Sequence, residues 1–555
     1  MRKPWLILCA IILLQTAVIA AFGQMKSGFH EDELYTYFSS NRSAGIRFAD
    51  GEELSGRNFL DELTVCEGER FRYGMVRTVQ SWDVHPPLYY CLFHTVCSLT
   101  PGVFSRWQGI AVNIAGFVLS QLILGCLAFR VFRDRFLSAA VPAVWGFTAA
   151  AVSAAMFIRM YVWLTFWVLA MLLAHAVYLE RIREDLRDRS SGRREPGRYR
   201  AGSSGMPLMY LLFAVISFCG FLTQYYYLIA LFFAGLYTAV FLIMRIRKGL
   251  PAGHLVLYCA SHAAAGILGL LYYPSAAAQI FRGYRGKEAQ ASFLDLSNTV
   301  QRLKLFFSLT DRYAFGGILL PLLGAVLLGY AAVKLAERRK PEKSGGVPDA
   351  GNDGGSGTSS ALQAGLLAVT AAGYFTAVAK TGLLLGETSL RYELPVCPVL
   401  VLLVLLLYRN AGKSRRAGRI AAAAAGSLIV VLNAAHLSEK DVLFLYPENA
   451  ARTEFAEEHA DKPAAVLYNG QTPDHIWWIA DRLVSYERIV LLEESAGPEE
   501  DVERLCSLME GEDEVVVYAA GKEGYPADRV FGSGGAVPLE EDRMWKTWLI
   551  KVRKP

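Results

Sequence analysis

The residue types best suited to chemistry stand in two polar stretches that flank one long loop. The first is His30-Glu31-Asp32-Glu33-Leu34-Tyr35-Thr36-Tyr37. It directly follows the first apolar run of the chain, so it sets adjacent carboxylates at a membrane surface. The second, Asp83-Val84-His85-Pro86-Pro87-Leu88-Tyr89-Tyr90, precedes the next long apolar run. A carboxylate held near a bilayer surface can take the proton from an attacking hydroxyl. The complementary need is positive charge for a leaving phosphate. Arginine suits it, because its planar fork matches phosphate oxygens and stays charged. Arg159 and Arg391 are each closely followed by a tyrosine, Tyr161 and Tyr392, and Arg282 and Arg285 lie in another long loop. An arginine at a span boundary also serves as a snorkelling anchor, and a loop carboxylate can simply be solvated. His85, with Asp83 two residues before it, could ligate a divalent metal or cap a helix start.

These groups need elements to hold them. The chain has 555 residues, of which 53% are hydrophobic, and its mean hydropathy is positive. Repeated apolar runs of about 20 residues are the mark of membrane-spanning helices. Eleven such runs are expected, at 5–23, 107–129, 136–158, 161–179, 206–223, 225–244, 252–273, 315–334, 361–380, 392–408 and 419–437. The segment 88–100 is apolar but too short to span, and Pro86-Pro87 suits a helix start. It is expected to lie on the membrane surface. The nine cysteines are scattered without a paired-cysteine motif, so neither a disulfide framework nor a zinc cluster is expected.

Charge orients the chain. The net charge of +5 conceals a split, because residues 438–555 hold 25 acidic against 13 basic side chains. The basic excess falls in alternate short loops: Arg130, Arg133 and Arg135; 180–205; Arg245, Arg247 and Lys248; Arg338, Arg339 and Lys340; Arg409, Lys413, Arg415 and Arg416. By the positive-inside rule these loops and the N-terminus are cytoplasmic. Loops 24–106 and 274–314 and the acidic segment 438–555 are then extracytoplasmic. This distribution points to a bilayer and not to nucleic acid. The stretch 341–360 is a flexible cytoplasmic linker by composition. Within 438–555, Ala464–Tyr468, 489–492, 515–518 and 545–552 read as buried strands with helical stretches between the first three, which is the pattern of a small α/β domain.

Together these stretches resemble the membrane glycosyltransferases of the GT-C superfamily. The resemblance is nearest to the family 39-like branch of protein O-mannosyltransferases and lipid A aminoarabinose transferases, in its bacterial form. Phe29–Tyr37 looks like the acidic first-loop motif. His85-Pro86-Pro87-Leu88-Tyr89-Tyr90 is similar to a family signature, and Ile158-Arg159-Met160-Tyr161 and Arg391–Pro398 resemble two further family segments. Thr223-Gln224-Tyr225-Tyr226 resembles another, with Gln224 where histidine is usual. The matches run in order over 1–410, so a GT-C-type membrane domain is expected over 1–437, with 438–555 as an appended domain. The resemblance implies inverting transfer of a sugar from a polyprenyl-phosphate carrier, undecaprenyl phosphate in a bacterial cell membrane, to an acceptor protein, glycan or glycolipid. It assigns Asp32 as base with Glu33 in support. Arg159, Tyr161, Arg391 and Tyr392 would hold the carrier phosphate, and His85 would lie near the acceptor or a metal. A transporter or flippase for a lipid-linked sugar is the alternative. Such proteins place ionisable groups near the bilayer centre, whereas these runs carry few acids and the candidates collect at one face. No phosphate-binding glycine loop is present, which excludes a pump built on one.

Overall fold

Inside a bilayer the backbone must satisfy its own hydrogen bonds, so a long apolar run has to be a helix. The computed structural model describes residues 3–42, 46–190, 205–338, 354–383, 385–412, 414–495, 497–520 and 545–551. Among the described residues, eight helices can cross a membrane by length and composition: Trp5–Met25, Arg106–Phe132, Tyr161–Arg187, Met206–Thr223, Tyr227–Ile246, Gly253–Tyr272, Ser360–Thr381 and Arg415–Ser438. Two further pairs, Arg135–Gly146 with Ala149–Met156 and Thr299–Phe315 with Leu319–Ala331, bend by 60° and 86° at short breaks. Counting each bent pair as one span gives ten, against the eleven expected. The difference lies at 392–408, where the helix is Cys397–Ala411 and has only 15 residues. Chain and architecture are those of a multi-pass membrane protein.

The first break has a local cause. Pro142 interrupts the hydrogen-bond ladder of its helix, and the ladder ends at Gly146. Thr148 then opens a new helix, its hydroxyl accepting from the Ala151 amide at 3.1 Å. Asn433 of the last span accepts from the Ala149 amide at 2.9 Å. At the other end of Ala149–Met156 the chain turns and delivers Arg159. The segment 274–314, read as a loop, is largely helical: Ser275–Phe281, Tyr284–Leu294 and Thr299–Phe315. Of the expected linker 341–360, residues 341–353 lie outside the described residues, and the remainder begins helix Gly354–Thr381. The short apolar segment after Pro86-Pro87 is helix Leu88–Leu99, with Pro87 as its cap.

The first loop folds as helices Glu31–Asn41, Gly56–Leu63, Tyr73–Trp82 and Leu88–Leu99, with one two-residue strand, β1 (Glu53–Leu54). Tyr37 pins two of these helices, its ring meeting Phe93 edge-on at 4.7 Å. The C-terminal segment carries β2 (Ala464–Tyr468), β3 (Ile489–Glu493), β4 (Glu514–Ala520) and β5 (Trp545–Lys551). The sheet order is β1-β3-β2-β4-β5. β3, β2 and β4 run parallel, and β1 and β5 are antiparallel edges. Strands covered on both faces are apolar throughout, as Ala464–Tyr468 is.

β1 comes from the first loop, so the sheet joins two distant parts of the chain. Gly56 makes that joint close: its amide donates to the Tyr486 carbonyl at 2.7 Å. An added Cβ there would lie 2.4 Å from the Val484 carbonyl oxygen and 2.7 Å from that of Tyr486. Both obstacles are backbone and neither can rotate away. Gly56→Ala is therefore expected to cost about 1–3 kcal/mol by overpacking and to lower the thermal midpoint of the purified protein. An unchanged midpoint would show that the joint is slack.

Candidate active site

Residues 30–33 fold as a capping box with an imidazole in place of the usual hydroxyl. His30 precedes helix Glu31–Asn41, and its Nδ1 accepts from the Asp32 amide at 3.1 Å. Glu33 Oε2 accepts in return from the His30 amide at 2.7 Å. The His30 ring is wedged against Phe157 and Phe444, with centroids 5.6 and 6.2 Å away. Burial, with the nearby arginine and lysine charges, takes its pKa down to about 3. The imidazole is neutral, which its role as acceptor requires.

Glu33 ties four segments together. Besides the His30 amide, it accepts from Lys26 Nζ at 2.9 Å and from the Ile158 amide at 2.7 Å. Lys26 Nζ also donates to the Phe444 carbonyl at 2.7 Å, beyond the last span. Both charged side chains are wholly buried. Burial pushes the lysine pKa down and the glutamate up, and each charge opposes the other's shift. Glu33 therefore lies behind the site and does not line it, because its carboxylate is consumed by these donors.

Asp32, one residue earlier, points the other way. Its Oδ2 accepts from Arg391 Nη1 at 2.8 Å, and its Oδ1 lies 3.9 Å from Arg159 Nη2. Arg159 Nη1 also donates to the Asp32 carbonyl at 3.0 Å and to Thr36 Oγ1 at 3.2 Å. The two arginines are buried, while the Asp32 side chain keeps about a quarter of its surface open. Arg391 lies 5.2 Å from the ring centres of Phe157 and Tyr392, and Arg159 lies 5.8 Å from that of Tyr90. Burial alone would raise the Asp32 pKa. The guanidinium groups of Arg159 and Arg391 outweigh it and hold the carboxyl far below the usual range.

Asp32, His85, Arg159, Arg285 and Arg391 share one cavity of about 460 Å³ with Tyr161 and Tyr392. The rest of its wall is mainly apolar and aromatic, including Tyr226, Ile229, Ile280, Phe293, Leu294 and Leu383. Of the residues singled out from sequence, Glu33, Asp83 and Arg282 do not line it. The Asp83 carbonyl instead accepts from Gln279 Nε2 at 2.6 Å, and Arg282 is exposed. Gln279, which sequence did not single out, also donates to the Gln80 carbonyl at 3.1 Å. Tyr273 donates to the Gln80 and His85 carbonyls at 2.5 and 3.3 Å. These bonds fix the loop that presents His85, whose pKa burial takes down to about 4. Lys26 and Phe444 were missed as well, and so was the capping role of His30. Only His30 carried a signal, in its spacing from Glu33. Among the described residues no three His, Cys, Asp or Glu side chains come together to hold a metal ion. His85 thus belongs to no group of three such protein ligands.

No family model matches the chain, and no curated protein sequence matches it. Solved structures do. The crystal structure of ArnT from Cupriavidus metallidurans bound to undecaprenyl phosphate aligns with a TM-score of 0.51 at 12% identity, over 99% of this chain and 98% of that one. The chain has an ArnT-like fold. The apo crystal structure of the same protein aligns with a TM-score of 0.43 at 12% identity, over 93% and 96%. The multi-pass membrane architecture expected from the apolar runs is matched at the level of the fold. The ArnT-like alignment extends through the C-terminal sheet, past the reach of the sequence motifs.

The Lys26–Glu33 pair is open to a direct test. Removing one partner leaves the other buried without a counter-charge, which costs about 3–5 kcal/mol. Lys26→Met and Glu33→Gln should each lower the thermal midpoint strongly. The double variant should lose less than the sum of the two, because it removes both charges, although one amide oxygen replaces only one of the two carboxylate oxygens that accept from His30 and Ile158. Simple additivity would mean that the two groups do not depend on each other.

Proposed function

We propose that this chain transfers a sugar from a polyprenyl-phosphate carrier to an acceptor at the outer face of a cell membrane, with inversion at the anomeric carbon. One observation carries the reading: an ionised carboxylate stands between two buried arginines in a cavity with a largely apolar wall. The ArnT-like fold, seen with undecaprenyl phosphate in the Cupriavidus protein, supports it. Undecaprenyl phosphate is accordingly the carrier we propose.

In this reading Asp32 takes the proton of the acceptor hydroxyl. The hydroxyl oxygen attacks the anomeric carbon, and the bond from that carbon to the phosphate oxygen breaks with its electron pair on the phosphate. A single displacement inverts the centre. Arg159 and Arg391 meet the charge that develops on the leaving phosphate, within a site already shaped for it. Tyr161 and Tyr392 offer hydroxyls to the same group, and Arg285 adds a third cation at the cavity wall. Glu33 supports Asp32 from behind by fixing the helix end that carries it. His85, neutral and at the wall, faces the sugar or the acceptor. The apolar wall receives the first isoprene units, where each buried methylene contributes about 0.8 kcal/mol. The sugar–phosphate bond supplies the driving force, so no nucleotide is needed.

The domain at 438–555 belongs to this arrangement. Trp478 Nε1 donates to Tyr35 Oη at 3.1 Å, and Tyr35 stands one helical turn beyond Asp32. We read the domain as a brace for the acid-bearing helix. The basic loops support an extracytoplasmic side for it and for the cavity.

The test is release of free polyprenyl phosphate from a panel of polyprenyl-phosphate sugars, using protein in lipid nanodiscs with a cell-envelope extract as acceptor source. One donor should turn over. Asp32→Asn and Arg391→Ala should each lower its rate by about 100-fold or more, the usual effect of losing a general base or a charge-stabilising donor. Undiminished turnover in Asp32→Asn would remove the proposed base. Passage of the donor across the bilayer without release would instead favour a flippase.

A further inference from the structure

Two buried guanidinium groups face one carboxylate in this site, so its innermost charges are out of balance by one. Arg391 holds Asp32 at 2.8 Å and Arg159 stands 3.9 Å from it. The other charged and titratable groups around Asp32 do not correct the imbalance. On its own helix, His30 Nδ1 lies 3.7 Å from Oδ2 but is neutral, with a pKa of about 3. Glu31 is engaged with His30 at 3.3 Å, and its side chain is 40% exposed. Across the cavity His85 is neutral, with a pKa of about 4. Arg285 adds positive charge at a half-buried position, and the Asp83 carboxylate, which acts on Arg159 and His85, offsets it. Burial pushes the Tyr35 hydroxyl up, away from ionisation. Lys26 is paired with Glu33. The Nε atoms of Arg159 and Arg391 are buried and have no hydrogen-bond partner, which leaves donor capacity on both groups.

A phosphodiester brings one negative charge, and an ionised phosphomonoester brings two, its second pKa being about 6. The donor lipid is a diester and the released carrier is a monoester. With ionised Asp32, the diester balances the two arginines. The monoester balances them only with one further proton, on Asp32 or on the phosphate itself. Transfer supplies that proton, since the hydroxyl proton goes to Asp32 as the electron pair goes to the phosphate.

We infer that Asp32 and the carrier phosphate share Arg159 and Arg391, so that binding of the free carrier lipid is coupled to uptake of one proton in the site. The arginines are held by the carboxylate before transfer and pass to the phosphate as the charge moves. This inference rests on the carrier reading. It adds that Asp32 competes with the product lipid, and that product release is helped when the site gives up that proton and Asp32 takes the arginines back.

The probe is undecaprenyl phosphate, titrated calorimetrically into protein in nanodiscs between pH 8 and pH 9, where the free monoester is largely dianionic. Measurement in two buffers of different ionisation enthalpy counts the protons taken up. The wild-type protein should take up about one proton per lipid, and its affinity should fall about tenfold over that pH unit, as linkage requires. Asp32→Asn should take up none, bind independently of pH, and bind at least tenfold more tightly than wild type at pH 9. Wild-type binding without proton uptake would overturn the inference while leaving the carrier reading in place. Asp32→Asn binding no more tightly than wild type would overturn it equally. The wild-type proton count needs no variant, so it stands even if Asp32→Asn folds poorly. If neither protein binds the lipid, the carrier reading falls and the inference falls with it.

Discussion

A guanidinium group sealed from water needs a counter-charge close by, because desolvation costs several kcal/mol per ion. Arg159 and Arg391 are both in that position, and they reach it from turns of the chain more than two hundred residues apart. Asp32 is what lets them lie together. Once one carboxylate must serve both, much else follows. The broken helix Arg135–Gly146 and Ala149–Met156 delivers Arg159, the short helix Glu387–Tyr392 delivers Arg391, and helix Glu31–Asn41 must present Asp32 between them.

That presentation is secured from behind. Glu33 is the adjacent residue, yet it faces into the protein, where it gathers Lys26, His30 and Ile158. Lys26 extends the tie to Phe444 and so to the C-terminal segment. Two carboxylates side by side in sequence therefore have different tasks because their surroundings differ. One is closed off and structural, and the other opens onto the cavity. The C-terminal sheet adds to the same bracing through β1, which it takes from the first loop, and through the bond from Trp478 to Tyr35.

The legible parts of the sequence were those with local patterns. Apolar length marked most of the spans, and apolar runs with turn residues between them marked β2 to β5. Arg159 and Arg391 showed themselves by standing at span ends beside tyrosines, and Asp32 by its place in an acidic loop. What escaped was non-local or too short to have a period. β1 has two residues, and its partner lies more than four hundred positions away, so no window contains the signal. Lys26 reads as an ordinary charge at the end of a span until Glu33 and Phe444 are beside it. The break at Thr148 looked like the middle of one apolar run because alanine and valine continue on both sides. Glu33 enters the site reading through its adjacency to Asp32 and the family resemblance, and Arg282 through its place in the stretch 274–314. Which way a side chain faces is set by packing that composition does not record.

The most direct measurement is a structure of the protein in nanodiscs with undecaprenyl phosphate bound. Phosphate oxygens are expected within hydrogen-bond distance of both Arg159 and Arg391, with the isoprenoid chain along Ile229, Ile280 and Phe293. A phosphate bound elsewhere, with Arg391 still closed on Asp32 and the cavity empty of lipid, would contradict the shared-arginine site.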